Sequence, residues 1–191
     1  LNLLYLIGQP GAGKSTLVEL LTAGLGSETY LRPFQRVVYE TAPGVVELGG
    51  RRDSFSGTDV LALNAQPTVL DWLTSAHVPL VLGEGDRLAN DKFFTGCAAA
   101  GYELHIVWLA PSHDVAAARR LERAAALGVR PQNEAWVKGR ISKSGKLASK
   151  WSAVGAPHRF SALDADKCPA EILDAMLATG DPVATKLRSA A

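Results

Sequence analysis

An α/β fold built on a parallel sheet is what this sequence predicts, on three observations. Apolar runs of strand length, such as LNLLYLI and ELHIVWLA, carry almost no polar interruption, the pattern of strands buried on both faces. Segments with helical spacing alternate with them, as crossovers between parallel strands require. A glycine-rich turn, GQPGAGKST, follows the first strand directly and opens the first helix. The expected architecture has three layers, with a parallel sheet of about five strands and helices on both faces. The expectation is a single domain over residues 1–180, with a basic helical segment over about 119–150 and a frayed tail over 181–191.

The elements follow in order. Residues 1–7 form a strand that Gly8 ends, and KSTLVELLTAGL carries a helix to Gly24 and Gly26. A strand is expected over 36–40, then a long loop over 41–57, rich in Gly, Pro and charge, with a short strand at 45–48. Helices follow over about 59–65 and 67–76, the second with Pro67 in its first turn, where a missing N–H costs nothing. VPLVLGEGD is a buried strand with a polar end, and a helix over about 91–100 leads to the strand ELHIVWLAP. Ser112 caps a helix reaching Leu127, which Gly128 stops. A second basic helix, over about 133–150 with a weak point at Ser144 and Gly145, precedes a strand at 158–163 and a helix at 170–178. Parallel sheets bind ligands at the carboxyl ends of their strands, so residues 8–15, 84–87, 110–113 and 164–166 share one edge.

Composition narrows the function classes. With 191 residues and 47% hydrophobic content, the chain can bury a core without disulfides or a structural metal. Cys97 and Cys168 stand far apart with no Cys/His cluster, which argues against a disulfide framework or zinc site and for a reducing cytoplasm. No apolar run of about 18 residues offers a membrane span. A first strand beginning at residue 1 or 2 leaves little room for a leader, and the missing initiator Met suggests trimming. His77, His105, His113 and His158 are scattered and receive no chemistry.

The net charge of +1 is unevenly spread: residues 119–150 hold nine Lys/Arg against two acids, a local +7. Such a segment calls for an anionic partner, either polyphosphate or nucleic acid or both. An ordinary solvated helix face is the plainer alternative.

Residues 8–15 satisfy GxxxxGK(S/T) in full, in the strand-to-helix context that the motif needs. Glycines let successive N–H groups turn inward on phosphate oxygens, and the helix N-terminus adds its positive end. Gly8, Gly11, Ala12, Gly13, Lys14, Ser15 and Thr16 are therefore cofactor-binding candidates. Lys14 reaches the β- and γ-phosphates, and Ser15 offers its hydroxyl to Mg²⁺. With no guanine-reading NKxD sequence, ATP with Mg²⁺ is the expected cofactor pair. At the end of the next strong strand, Glu84 and Asp86 are two residues apart and point the same way in an extended segment. One carboxylate can serve the metal, for which Glu84 is the candidate, while the other takes a proton from an acceptor hydroxyl. Arg87 is suited to an acceptor phosphate, or is simply part of a polar turn.

With these residues the sequence resembles the P-loop nucleoside and nucleotide kinases, in which a DR or ER pair often ends this strand. The segment SHDVAAARRLERAAALG extends the resemblance. Family arginines in this helix and the adjoining lid close over the transferred phosphoryl group, which implies a lid over about 119–150 and catalytic roles for Arg119 and Arg123. Arg119 and Asp164 are further candidates for contact with the cofactor. Cytoplasmic location is the expectation, the host cytoplasm if the chain is phage-encoded.

The acceptor is expected in ELGGRRDSFSGTD, which supplies Arg51, Arg52, Asp53, Phe55, Ser56, Thr58 and Asp59 to the acceptor pocket, with Arg51, Arg52, Phe55, Thr58 and Asp59 as the substrate-binding candidates and Asp59 also as a base. A capped helix start is the alternative reading of Phe55 and Thr58. GGRR with FSGTD, together with WVKGRISKSGKL, resembles phage P-loop kinases that phosphorylate 5-hydroxymethyluracil within DNA, over roughly residues 3–165. That resemblance implies DNA carrying a modified base as the partner. Arg140, Lys143 and the flanking Trp136 and Trp151 suit a phosphate backbone with aromatic support, though tryptophans beside a basic helix also serve as core. Two other readings stay open: a thymidylate-like kinase acting on free deoxynucleosides or nucleotides, and a P-loop ATPase without an acceptor. Glu84, Asp86 and Asp59 all remain candidates for the base.

Overall fold

The computed structural model describes residues 1–23, 25, 29–31, 38–42, 44–51, 56–178 and 182–190. Nine strands are found among them: β1 (Asn2–Gly8), β2 (Thr29–Leu31), β3 (Val38–Ala42), β4 (Val45–Glu47), β5 (Gly50–Arg51), β6 (Ser56–Gly57), β7 (Leu80–Glu84), β8 (Glu103–Ala110) and β9 (Arg159–Asp164). The helices are α1 (Lys14–Thr22), α2 (Gln66–Ala76), α3 (Asp91–Ala99), α4 (His113–Ala126), α5 (Glu134–Trp151), α6 (Pro169–Ala178) and α7 (Pro182–Ala190).

The main sheet runs β2-β3-β4-β7-β1-β8-β9, and β5 and β6 form a separate antiparallel ribbon. The five strands from β4 to β9 are mutually parallel, as expected, while β3 and β2 extend one edge antiparallel. Central β1 explains the layering. Leu3, Tyr5 and Ile7 enter a core with Val69 and Leu73 of α2, Phe93 and Phe94 of α3, and Leu147, Ala148 and Trp151 of α5. Leu4 and Leu6 point the other way, onto Leu17 and Leu21 of α1, Ile172 and Met176 of α6, and Leu187 of α7. Alternation along one strand thus feeds two cores, and for that reason the run is apolar throughout. The register pairs Leu6 with Glu84 and Gly8 with Leu109, which brings the phosphate loop and the polar end of β7 to one edge.

Three expectations are corrected and a fourth is met in part. The helix expected over 59–65 is a single 3-10 turn at Thr58–Val60, because the Thr58 and Asp59 side chains are engaged by distant partners and not by local capping. The strand expected over 36–40 is β3, of which Val38–Ala42 is described; residues 36–37 lie outside the described residues. The weak point at Ser144 and Gly145 is absent: α5 is continuous, with Ser144 donating to the Ile141 carbonyl at 3.1 Å. The tail expected to fray forms α7, which buries Val183, Ala184 and Leu187. Val183 and Leu187 are worth about 1.5–3 kcal/mol each when fully covered, which helps to hold a helix whose other face is polar.

Candidate active site

Gly13 precedes α1 in a left-handed conformation, φ 84°, which lets the loop turn directly into the helix. Lys14 reaches back across the loop and donates to the Gly8 and Gln9 carbonyls at 3.0 and 3.1 Å. Burial pushes its ammonium below the ordinary lysine value; Glu84 and Asp59 oppose that shift, and Arg123 adds to it. Helix α4 closes the other side. A side chain at Gly11 would run into the Ala116 carbonyl, and Arg120 donates to the Pro10 carbonyl at 3.0 Å. Gln9 ties the loop to the end of β8 through the Pro111 carbonyl at 3.1 Å. Thr16 is exposed in the first turn of α1, and Ala12 is buried beneath the loop.

Two sequence features that looked independent, SGTD and EGDR, form one interlocked unit. Ser15 and Ser56 both donate to Glu84 Oε1, at 2.9 and 3.0 Å, and their hydroxyl oxygens lie 2.6 Å apart. Gly57, with φ 59°, lies so close to β7 that a side chain there would sit 2.6 Å from the Glu84 carbonyl oxygen. Thr58 is fully buried and shares a 3.0 Å hydrogen bond with the Tyr5 hydroxyl, which donates to the Gly85 carbonyl at 2.9 Å. Asp59 Oδ1 accepts from the backbone N–H groups of Asp86 and Arg87 at 2.8 and 3.0 Å.

Asp86 itself points to α5. Its carboxylate pairs with Arg140 and with Lys143, the latter at 3.0 Å, and Lys143 also donates to the Asp86 carbonyl at 2.8 Å. Burial, and next the Arg140 charge, lower the Lys143 proton affinity. Arg140 lies 5.1 Å over the Trp136 ring, whereas Trp151 is buried edge-on against Phe94 at 5.4 Å. Trp151 is thus a core residue and Trp136 a surface one. Arg119 donates to the carbonyls of Ala165 and Lys167 at 2.7 and 3.2 Å, clamping α4 to the loop after β9. At the end of β9 Asp164 accepts from the Asp166 amide at 3.0 Å, and in the loop Asp166 accepts from the Ser112 amide at 2.6 Å.

The expected site residues thus separate. Ser15 meets Glu84 in a hydrogen bond, Lys14 shares a small cavity with Gly85, Asp86 and Lys143, and the charges of Glu84, Asp59 and Arg123 act on Lys14. Asp86, Arg140 and Lys143 form a tie to α5, and Thr58 is part of the scaffold. Arg87 donates to the Asp59 carbonyl at 3.5 Å. Arg51 lies in β5, its side chain outside the described residues, as are Arg52 and Phe55 altogether. Sequence reasoning missed Tyr5, hidden in an apolar strand, and placed Ser56 in the acceptor pocket without linking it to Ser15 and Glu84, which it meets here. No group of three His, Cys, Asp or Glu that could hold a metal occurs among the described residues. A cation here would rest on hydroxyls, one carboxylate and substrate oxygens, a hard oxygen set that suits Mg²⁺.

The sequence matches the family P-loop Nucleotide Kinase3 over residues 1–178. The chain belongs to that family. No curated protein matches it. Among solved structures it is similar to a gluconokinase from Sinorhizobium meliloti, with a TM-score of 0.52 at 13% identity over 98% of this chain and 95% of that one. It is also similar to the deoxyadenosine kinase of M. mycoides with bound dCTP, with a TM-score of 0.53 at 10% identity over 94% and 99% of the two chains. At such identities the likeness is one of fold. Family and fold together support phosphotransfer as the reaction class. Among the described residues no helix is long and apolar enough to cross a membrane.

Proposed function

We propose that the protein is an ATP- and Mg²⁺-dependent kinase that phosphorylates a hydroxyl, the 5-hydroxymethyl group of 5-hydroxymethyluracil in DNA. The observation that carries phosphotransfer is the division of labour among three carboxylates at one sheet edge. Glu84 binds the Ser15 hydroxyl, Asp86 is spent on Arg140 and Lys143, and Asp59 is held by two amides beside Lys14. Ser15 and Glu84 would hold Mg²⁺, whose chemistry there is to neutralise charge on the β- and γ-phosphates.

Lys14 then leaves its carbonyl partners for the phosphates, and Arg123 faces the same charge. Asp59 takes the acceptor proton on its second carboxylate oxygen. The acceptor oxygen bonds to the γ-phosphorus as the bond to the bridging β,γ-oxygen breaks, and ADP leaves with the electron pair.

The DNA acceptor rests on the resemblance of GGRR, FSGTD and WVKGRISKSGKL and on the exposed Trp136, Lys138 and Lys146 along α5. Because Arg140 and Lys143 already pair with Asp86, Lys138 and Lys146 are the cations suited to a phosphate backbone. A base must leave the stack for its hydroxymethyl group to approach in line. A second reading, a free deoxynucleoside or nucleotide acceptor, is favoured by the fold shared with the deoxyadenosine kinase of M. mycoides.

The test offers γ-labelled ATP and Mg²⁺ with a 5-hydroxymethyluracil duplex, an unmodified duplex and free nucleosides and nucleotides. Label on the modified duplex alone is expected. Label confined to free nucleosides or nucleotides overturns the DNA acceptor, and label on nothing overturns the kinase reading in favour of a P-loop ATPase. Lys14→Ala should abolish transfer with the fold intact.

A further inference from the structure

We propose that Ser56 is a third protein oxygen for the divalent cation, so that the β5–β6 ribbon on the acceptor side belongs to the metal-binding face. This rests on the kinase reading above. The Oγ atoms of Ser15 and Ser56 and the Oε1 atom of Glu84 form a triangle with edges of 2.6, 2.9 and 3.0 Å. Adjacent oxygens around an octahedral Mg²⁺ are about 2.9 Å apart, which is √2 times the ~2.0–2.1 Å Mg–O distance. Three protein oxygens at this spacing make one face of such an octahedron, and the opposite face falls to phosphate oxygens and water.

Ser56 is fixed from both sides. The ribbon pairs it with Arg51 and pairs Gly57 with Gly50. Beyond it, Gly57 is pressed against Glu84, Thr58 is bonded to Tyr5, and Asp59 is bonded to the amides at 86 and 87. A hydroxyl delivered by so many contacts is preorganised rather than incidental. The three oxygens carry a single formal negative charge, too little to hold Mg²⁺ alone. The cation therefore binds together with the triphosphate, which supplies the missing charge.

The test measures the Mn²⁺ retained with the full chain on ultrafiltration, with and without ATP, so that Mn²⁺ held by ATP free in solution passes the membrane and is not counted. The wild type should bind Mn²⁺ tightly only with ATP. Ser56→Ala should weaken that binding about 10–100-fold, while its affinity for ATP in EDTA and its unfolding midpoint stay near wild type. Ser56→Cys should prefer Cd²⁺ over Mg²⁺ in the ATP complex, since a thiolate selects soft cations; the wild type sets the background from exposed Cys168. Unchanged Mn²⁺ affinity in Ser56→Ala overturns the proposal and leaves the kinase reading standing. Weakened affinity with no Cd²⁺ preference in Ser56→Cys overturns direct ligation. A wild type that binds no Mn²⁺ with ATP overturns the kinase reading itself.

Discussion

Helices α4 and α5 share an excess of cations and are opposite in construction. Both are basic, and both fall in the segment that reads as a lid. Helix α4 buries only Ala116 and Ala124, and its arginines donate to backbone carbonyls, Arg120 to Pro10 in the phosphate loop and Arg119 to Ala165 and Lys167 after β9. Helix α5 buries Val137, Leu147, Ala148 and Trp151, and Arg140, Lys143 and Lys150 pair with the carboxylates of Asp86 and Asp91. A carbonyl satisfies a guanidinium's donors without cancelling its charge, whereas a carboxylate cancels it. Helix α4 therefore keeps a positive field at the phosphate loop, and α5 spends three of its five cations on holding itself down.

Truncations that ignore charge separate the two most strongly. Trp151→Ala should cost about 3–5 kcal/mol through loss of core packing, read from denaturant unfolding. Leu121→Ala on α4, 56% exposed, should stay within about 0.5 kcal/mol. Equal losses would end the distinction. Next in size, Arg123→Ala should lower kcat about 10²–10³-fold with an unchanged unfolding midpoint; a lost fold with preserved turnover would reverse the assignment. Asp86→Asn should cost about 1–2 kcal/mol, since it strips charge from a half-exposed pair network. Faster amide exchange in α5 but not in α4 would show where the tie acts. Smallest is Lys150→Ala, whose partner Asp91 is exposed; within about 0.5 kcal/mol is expected, and a larger loss would mean that this pair carries part of the tie.

The same contrast explains what the sequence could reveal. Strands β1, β7 and β8 are legible because burial on both faces leaves an uninterrupted apolar run, and the phosphate loop is legible because its chemistry lies in consecutive residues. Helix α7 was invisible, since PVATKLRSA offers only Val183, Ala184 and Leu187 to a core that other elements build. The carboxylates Asp59 and Asp86 were indistinguishable as residues. Their neighbours separate them: backbone amides for one, cations from 54 and 57 residues downstream for the other. Lys143 and Arg140, expected at the substrate, are held by Asp86, a long-range contact that no local pattern encodes.

The cross-strand pair of Tyr5 and Gly83 bears on how this chain can vary. A methyl group at 83 would stand 2.5 Å from Cε2 of the Tyr5 ring, whose hydroxyl is the link to Thr58 and Gly85. Neither position is free to drift alone: enlarging 83 evicts the ring, and shrinking 5 leaves a void and orphans a buried hydroxyl at 58. Redesign of the central sheet must exchange the two together and supply a new donor for the acceptor side, or keep both.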